Sequence, residues 1–417
     1  MKTIIYSLSY NIYQFFKLAL KNITRNRRRT IMTMSGISIG TLMLVLLSSY
    51  VNSMHLGLKN DAINNQYGHF QIAEKGYFDA DENSPEHMMS KETLDQLKSF
   101  ALEFKSVDFV NTRLHLVGII GTQSNSAIFS AIAGDPTVEG LMSPTIVEGS
   151  PLSSSDPTGI VIGEAMAKKL KVGVGDPLIA FVSTSFGSQE AIWVTVRGIY
   201  DALMPEQEKV IIYMPIESAW MLILEERAHR LLVFLNDHEK LPETMAAMQS
   251  YIDKNRLNLE IRDWETLAVF LKQVVGMFRG MIVVVGFIVF LVIIFNIQNT
   301  MYMSIHERFR EIGTLRAMGA SRGEVIRNFV AEGFLTGLIG AGLGIMIALI
   351  LMPWINSMDL SLPPGPGQDK PTPIVFTRTN IVLVQALTVN VVTALLASIL
   401  PAVKGSKTRI IDALRYV

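Results

Sequence analysis

Gly36-Ile37-Ser38-Ile39-Gly40 has the G-x-S-x-G spacing of a hydrolase elbow, which raises a serine on a sharp strand-to-helix turn. Its surroundings argue against that use. From Ile31 to Tyr50 the chain is almost wholly apolar. A stretch of about 20 such residues crosses a bilayer, and there the backbone must stay in a continuous helix. Gly36 and Gly40, four apart, then make a small-residue face for close helix contact. Gly173-Val174-Gly175-Asp176 has G-x-G but lacks the third glycine of a dinucleotide loop, so it reads as a β-turn. No G-x-x-x-x-G-K-[ST] loop occurs, so the chain is not expected to cradle and hydrolyse ATP itself. The 7 histidines are scattered without H-E-x-x-H, and cysteine is absent, so no metal centre is expected.

The residues with the densest chemistry are Glu307-Arg308-Phe309-Arg310-Glu311-Ile312-Gly313-Thr314-Leu315-Arg316-Ala317-Met318-Gly319-Ala320-Ser321. This stretch is charged, short and flanked by two apolar runs. Helical periodicity is predicted to continue from the preceding run to about Met318, with Gly319 in the C′ position that favours positive φ. Ser321-Arg322-Gly323-Glu324 reads as a capping box that starts a new helix. Arg308 with Glu311, and Glu307 with Arg310 or Glu311, are close enough to interact along one helix, worth only ~0.2–0.5 kcal/mol for an ion pair. Glu332 falls about a turn inside the next apolar run, where ionisable groups are costly. It is either an intramembrane link to Arg316 or Arg327, tying connector to span, or a carboxylate at headgroup level.

These residues depend on the elements around them. The chain has 417 residues with 37 basic and 37 acidic groups, but the charge is segregated. Residues 1–30 carry 7 basic residues and no acid, whereas residues 55–280 carry 19 basic against 30 acidic residues. Residues 1–30 show apolar positions at three- and four-residue steps, which predicts an amphipathic helix at the membrane interface, or else a flexible leader. Four spans follow: residues 31–54, 273–301, 328–355 and 380–402. Between the first two lies an extracytoplasmic α+β domain, residues 55–272, large enough for two subdomains. Strands are predicted over Ala191 to Val196, Lys209 to Tyr213 and Arg230 to Leu235, with helices at Gly163 to Leu170 and Leu241 to Asn255. Residues 302–327 form the cytoplasmic connector, 356–379 a Pro-rich outer loop, and 403–417 a cytoplasmic tail. The basic residues of Arg25 to Arg29, the connector and the tail all fall on one side, so both termini are expected in the cytoplasm. Basic clusters that flank spans suit phospholipid headgroups rather than nucleic acid.

Asn299 and Met301, Glu307-Arg308, Arg310-Glu311-Ile312-Gly313, Leu315-Arg316-Ala317, Gly319-Ala320-Ser321, Glu332, Gly337, Gly340 and Gly344 together resemble the FtsX-type permease domain of bacterial ABC systems. Arg25 to Thr30 followed by Gly36 and Gly40 is similar to that family's first span, and Ala413-Leu414-Arg415 to its usual ending. Gly159-Ile160-Val161-Ile162-Gly163 through Ala167 and Leu170, Gly175-Asp176, Val196 and Gly198, and Tyr213 and Pro215 are similar to a MacB-like periplasmic core domain.

The resemblance implies a type VII ABC permease in the inner membrane. Two four-span subunits, identical or homologous, sit on a dimer of cytosolic ATPases that hold the ATP and magnesium. The stretch from Glu307 to Gly319 would be the coupling helix, and ATPase closure would move the outer domain through stalks such as Trp264 to Arg279. The split layout and Pro-rich loop resemble the lipoprotein-release branch most. The leading expectation is therefore extraction of lipoprotein or lipidic cargo from the outer leaflet, with a periplasmic carrier or outer-membrane partner. Two alternatives stand beside it: efflux of a drug, peptide or toxin, and non-transport signalling to a periplasmic partner.

Overall fold

The computed structural model describes residues 27–80, 85–136, 145–184, 187–202, 205–363 and 371–407. Residues 1–26, residues 364–370 of the Pro-rich loop and the end of the tail with Ala413-Leu414-Arg415 lie outside the described residues. The chain divides into a helical unit (Met1–His55, Val274–Ser361 and Pro373–Val417) and a sheet domain (Leu56–Gln273 and Leu362–Thr372).

The sheet domain is built on one sheet. Its strands are β1 (Phe70–Glu74), β3 (Val107–Gly121), β4 (Ser126–Gly134), β5 (Ile146–Gly149), β6 (Gly159–Gly163), β7 (Pro177–Ser183), β8 (Gln189–Tyr200), β9 (Ile211–Pro215), β11 (Arg230–Leu235) and β12 (Leu259–Asp263). Two short strands, β2 (Met89–Ser90) and β10 (Arg227–Ala228), pair separately. The order β12-β1-β11-β3-β4-β9-β6-β8-β5 is continuous, and β7 bridges β8 back to β3. Strands β3, β4, β9, β6, β8 and β7 therefore close a ring, which removes exposed edges, while β11, β1 and β12 extend from β3 as an open sheet. A single sheet runs through the domain because the 15-residue β3 pairs with β11 on one part and with β4 and β7 on the other.

Within the domain, helices α2 (Lys91–Ala101), α3 (Glu164–Leu170), α4 (Pro205–Val210), α5 (Ile216–Ile223), α6 (Leu241–Lys254) and α7 (Trp264–Leu267) connect the strands. Phe70, Leu97, Phe129, Ile162 and Met166 are fully buried in the main core, each such side chain contributing ~1.5–3 kcal/mol of burial. The predicted strand over Lys209 to Tyr213 starts two residues late. Tyr200 Oη donates to the carbonyls of Gln207 and Ile211, and Glu208 Oε1 accepts from the Ala202 N–H at 2.7 Å, so residues 205–210 wind into α4 instead. The Gly173–Asp176 segment is the expected turn: Gly175 has φ +95°, and the Asp176 carboxylate accepts from Gly173 N at 2.8 Å.

Among the described residues four helices are long and apolar enough to cross a membrane: α1 (Arg27–Asp61), α8 (Val269–Glu307), α10 (Arg322–Asn356) and α11 (Asn380–Ser406). Arg27, Arg28 and Arg29 form the first turn of α1, so the boundary expected after residue 30 falls inside a helix. G-x-S-x-G lies mid-helix with Ser38 buried, which excludes a strand-turn-helix elbow.

Helix approach in this unit depends on glycine. A Cβ on Gly40 would lie 2.9 Å from Val289 Cγ1, and one on Gly36 would strike the Asn296 side chain, so both glycines face α8. A Cβ on Gly340 would lie 3.0 Å from Ile37 Cβ, and one on Gly344 2.8 Å from Thr41 Cβ, so these two face α1. Gly337 faces Ala394 of α11, and Gly333, not singled out in the sequence, faces Ser398 there. Side chains at these positions would push the helices apart at their closest approach.

Candidate functional site: the charged connector

The connector is less simple than its periodicity. Helix α8 stops at Glu307, and Arg308 takes φ −106°, ψ 13° before α9 (Phe309–Ala317) begins. The Arg308 N–H is shared between the carbonyls of Ser304 and Ile305, each at 3.2 Å. An unbroken helix to Met318 was expected; a kink replaces it. Its local cause is packing of Ile305 and Ile312 into the same core while Arg308 turns toward Glu332.

Past α9 the chain closes as a Schellman turn. The Ala320 N–H donates to Leu315 O at 3.1 Å, Gly319 N donates to Arg316 O at 3.2 Å, and Gly319 has φ +102°. These bonds satisfy carbonyls that a helix end leaves open, and the positive φ is the one glycine adopts at little cost. Ser321 Oγ then accepts from Glu324 N at 3.2 Å, and Glu324 Oε2 accepts from Ser321 N at 3.0 Å. Kink, turn and box set a fixed helix–turn–helix geometry.

The charged side chains divide by partner. Glu307 binds Arg29 of α1 through both carboxylate oxygens. Arg308 binds Glu332 of α10 at 3.2 Å, with side chains only 12% and 13% exposed, and lies 3.6 Å from Glu311. Glu332 was expected either to reach Arg316 or Arg327 or to lie as a carboxylate at headgroup level; the structure pairs it with Arg308 at the kink. Arg316 Nη1 instead donates to Ser406 O at 2.8 Å, the last carbonyl of α11. Gly313 is buried, and Arg310, Glu311, Thr314, Leu315 and Met318 are exposed. Gly319 and Ser321 are exposed at the turn. Among the described residues no cluster of three or more His, Asp or Glu is arranged to hold a metal ion.

Sequence reasoning missed the Arg29–Glu307 and Arg316–Ser406 contacts. Both join residues distant in the chain, and the charge of Arg29 was legible only as an orientation signal.

Two family profiles cover the chain. The MacB-like periplasmic core domain matches residues 30–251, and the FtsX-like permease C-terminal matches residues 283–410. An uncharacterized ABC transporter permease of Methanocaldococcus jannaschii is 26% identical over 363 residues, covering 84% of this chain and 86% of that protein. The lipoprotein-releasing system transmembrane protein LolC of Haemophilus influenzae is 22% identical over 390 residues, covering 91% and 92%. The macrolide export ATP-binding/permease protein MacB of Rhodospirillum rubrum is 25% identical over 232 residues, covering 52% of this chain and 34% of that one. With four apolar helices, a sheet domain in the first profile and a capped connector in the second, the chain belongs to the FtsX-like ABC transporter permeases with a MacB-like periplasmic core domain.

Proposed function

We propose that the chain is the permease subunit of a type VII ABC transporter of the inner membrane, driven by a separate cytosolic ATPase that docks on α9. ATP and magnesium belong to that ATPase. The carrying observation is the connector: a short helix fixed at both ends, with Arg310, Glu311, Thr314, Leu315 and Met318 exposed along it. A helix fixed in this way transmits a push instead of absorbing it in loop motion. Basic residues at the start of α1 and in the connector support a cytoplasmic location for this end and for both termini. A second permease subunit, identical or homologous, completes the assembly.

The cargo reading is lipoprotein or another lipidic molecule, extracted from the outer leaflet as the sheet domain moves and passed to a periplasmic carrier. Near full-length similarity to a lipoprotein-releasing protein supports it. Similarity to a macrolide exporter supports a second reading, expulsion of a drug or peptide from the periplasm.

The test is reconstitution in proteoliposomes with the ABC ATPase that co-purifies. A triacylated lipoprotein should raise ATP hydrolysis, and Leu315→Glu should abolish ATPase co-purification while membrane insertion persists. Stimulation by a macrolide alone favours the second reading; unchanged co-purification with Leu315→Glu removes α9 as the docking helix.

A further inference from the structure

We propose that Arg29, Arg308 and Arg316 are positioning residues, which fasten the connector to the three other spanning helices and carry its displacement into them. The inference rests on the coupling role of α9 proposed above and assigns the opposite side of that helix.

The connector continues covalently from α8. Beside the apolar packing of Ile312, three polar attachments each go to a different span: Glu307 to Arg29 of α1, Arg308 to Glu332 of α10, and Arg316 to the Ser406 carbonyl of α11. The last contact places a guanidinium on a helix C-terminus, where unsatisfied carbonyls carry partial negative charge. All four spans therefore hold this one short element.

The polar attachments supplement apolar packing that is incomplete at one place. A cavity of about 90 Å³ lies between α9 and α10, lined by Arg308, Ile312, Val325, Asn328, Phe329 and Glu332 among others. Dispersion contacts fall off steeply across a gap. The Arg308–Glu332 pair bridges the two helices beside that cavity, and with both side chains nearly buried it is little screened by salt. Arg310, Thr314 and Met318 are exposed on α9 and do not line this cavity, whereas Glu311 and Leu315 line it beside the anchor. Docking is thus separable from transmission by mutation at Arg310, Thr314 and Met318 on one hand and at Arg308 and Glu332 on the other.

The chain contains no cysteine, so spin labels can be placed uniquely, at Ser124→Cys in the sheet domain and Ser357→Cys beyond α10. The full chain with its co-purified ATPase is compared in vesicles with and without ATP trapped by vanadate. Glu332→Gln should retain the ATPase yet reduce the ATP-dependent distance change about fivefold, and the exchange Arg308→Glu with Glu332→Arg should restore most of it. Independently of any ATPase, Glu332→Gln should speed amide hydrogen exchange over residues 309–318 about tenfold, and the exchanged pair should reverse that. Unchanged exchange over these residues in Glu332→Gln overturns the proposal, as does a loss that the exchanged pair fails to restore. If Glu332→Gln does not fold, the exchanged pair alone decides: native-like exchange supports the anchor, and its failure to fold removes it. If the unmodified chain retains no ATPase, the docking reading fails while the exchange result still judges the anchors.

Discussion

Arg308 on the connector and Arg230 in the sheet domain are both guanidinium groups largely withdrawn from water, and their partners differ in kind. Arg308 faces a carboxylate, Glu332. Arg230 donates to Gln71 Oε1 at 3.2 Å and to His115 Nε2, both neutral acceptors, and stands directly across the β3–β11 ladder from Arg113, a second buried cation. Burial, helped by Arg230, lowers the Arg113 pKa to about 9. Burial and the same Arg230 hold His115 well below the usual imidazole range. The connector keeps its charge by opposing it, whereas the sheet domain keeps its histidines neutral so that they accept. The first arrangement responds to charge reversal and the second to acid.

The largest effect should come from breaking the opposed pair. Glu332→Leu leaves Arg308 with its nearly buried partner removed, a loss of about 3–5 kcal/mol by analogy with other buried pairs, read as a lowered thermal midpoint of the detergent-solubilised chain. The sheet domain should answer to pH instead. His69 Nδ1 accepts from Leu235 N at 3.1 Å, and burial, with His238 and Lys59 nearby, lowers its pKa to about 4. Between pH 6.5 and 4 the unfolded chain then binds more protons than the folded one, so stability is full above pH 6.5 and falls as the pH drops toward 4. Discounted for a group that is only partly buried, the loss is ~1–2 kcal/mol. Thermal scans from pH 7.5 to 4.5 should show it, and His69→Gln should remove its share while leaving the part that His115 contributes. The smallest effect should be Ser321→Ala, which removes one cap and costs ~1 kcal/mol, seen as faster amide exchange confined to the first turn of α10.

Much of this was readable in advance because it is local. Ser321 and Glu324 are three residues apart, Gly319 follows a helical period, and Arg230 to Leu235 matches β11 residue for residue. The glycine faces were legible as spacing, although which helix each meets was not. What escaped the sequence is long-range. Nothing near Arg308 breaks a helix by propensity, and the kink accompanies an ion pair with a partner 24 residues on. Arg230 read as an ordinary strand residue and Arg113 drew no notice, and only pairing of β3 with β11 brings them opposite each other. Closure of the ring by β7 likewise leaves no mark on any single segment.

The pairing of β1 has a consequence in time. Its two neighbours are β11 and β12, which lie roughly 160 and 190 residues further along the chain. At about 5–20 residues per second of synthesis, Phe70 to Glu74 waits ~10–30 s with both edges open after it emerges. An unpaired apolar strand is an aggregation template. The interval before β11 arrives therefore leaves β1 open to pairing with other chains.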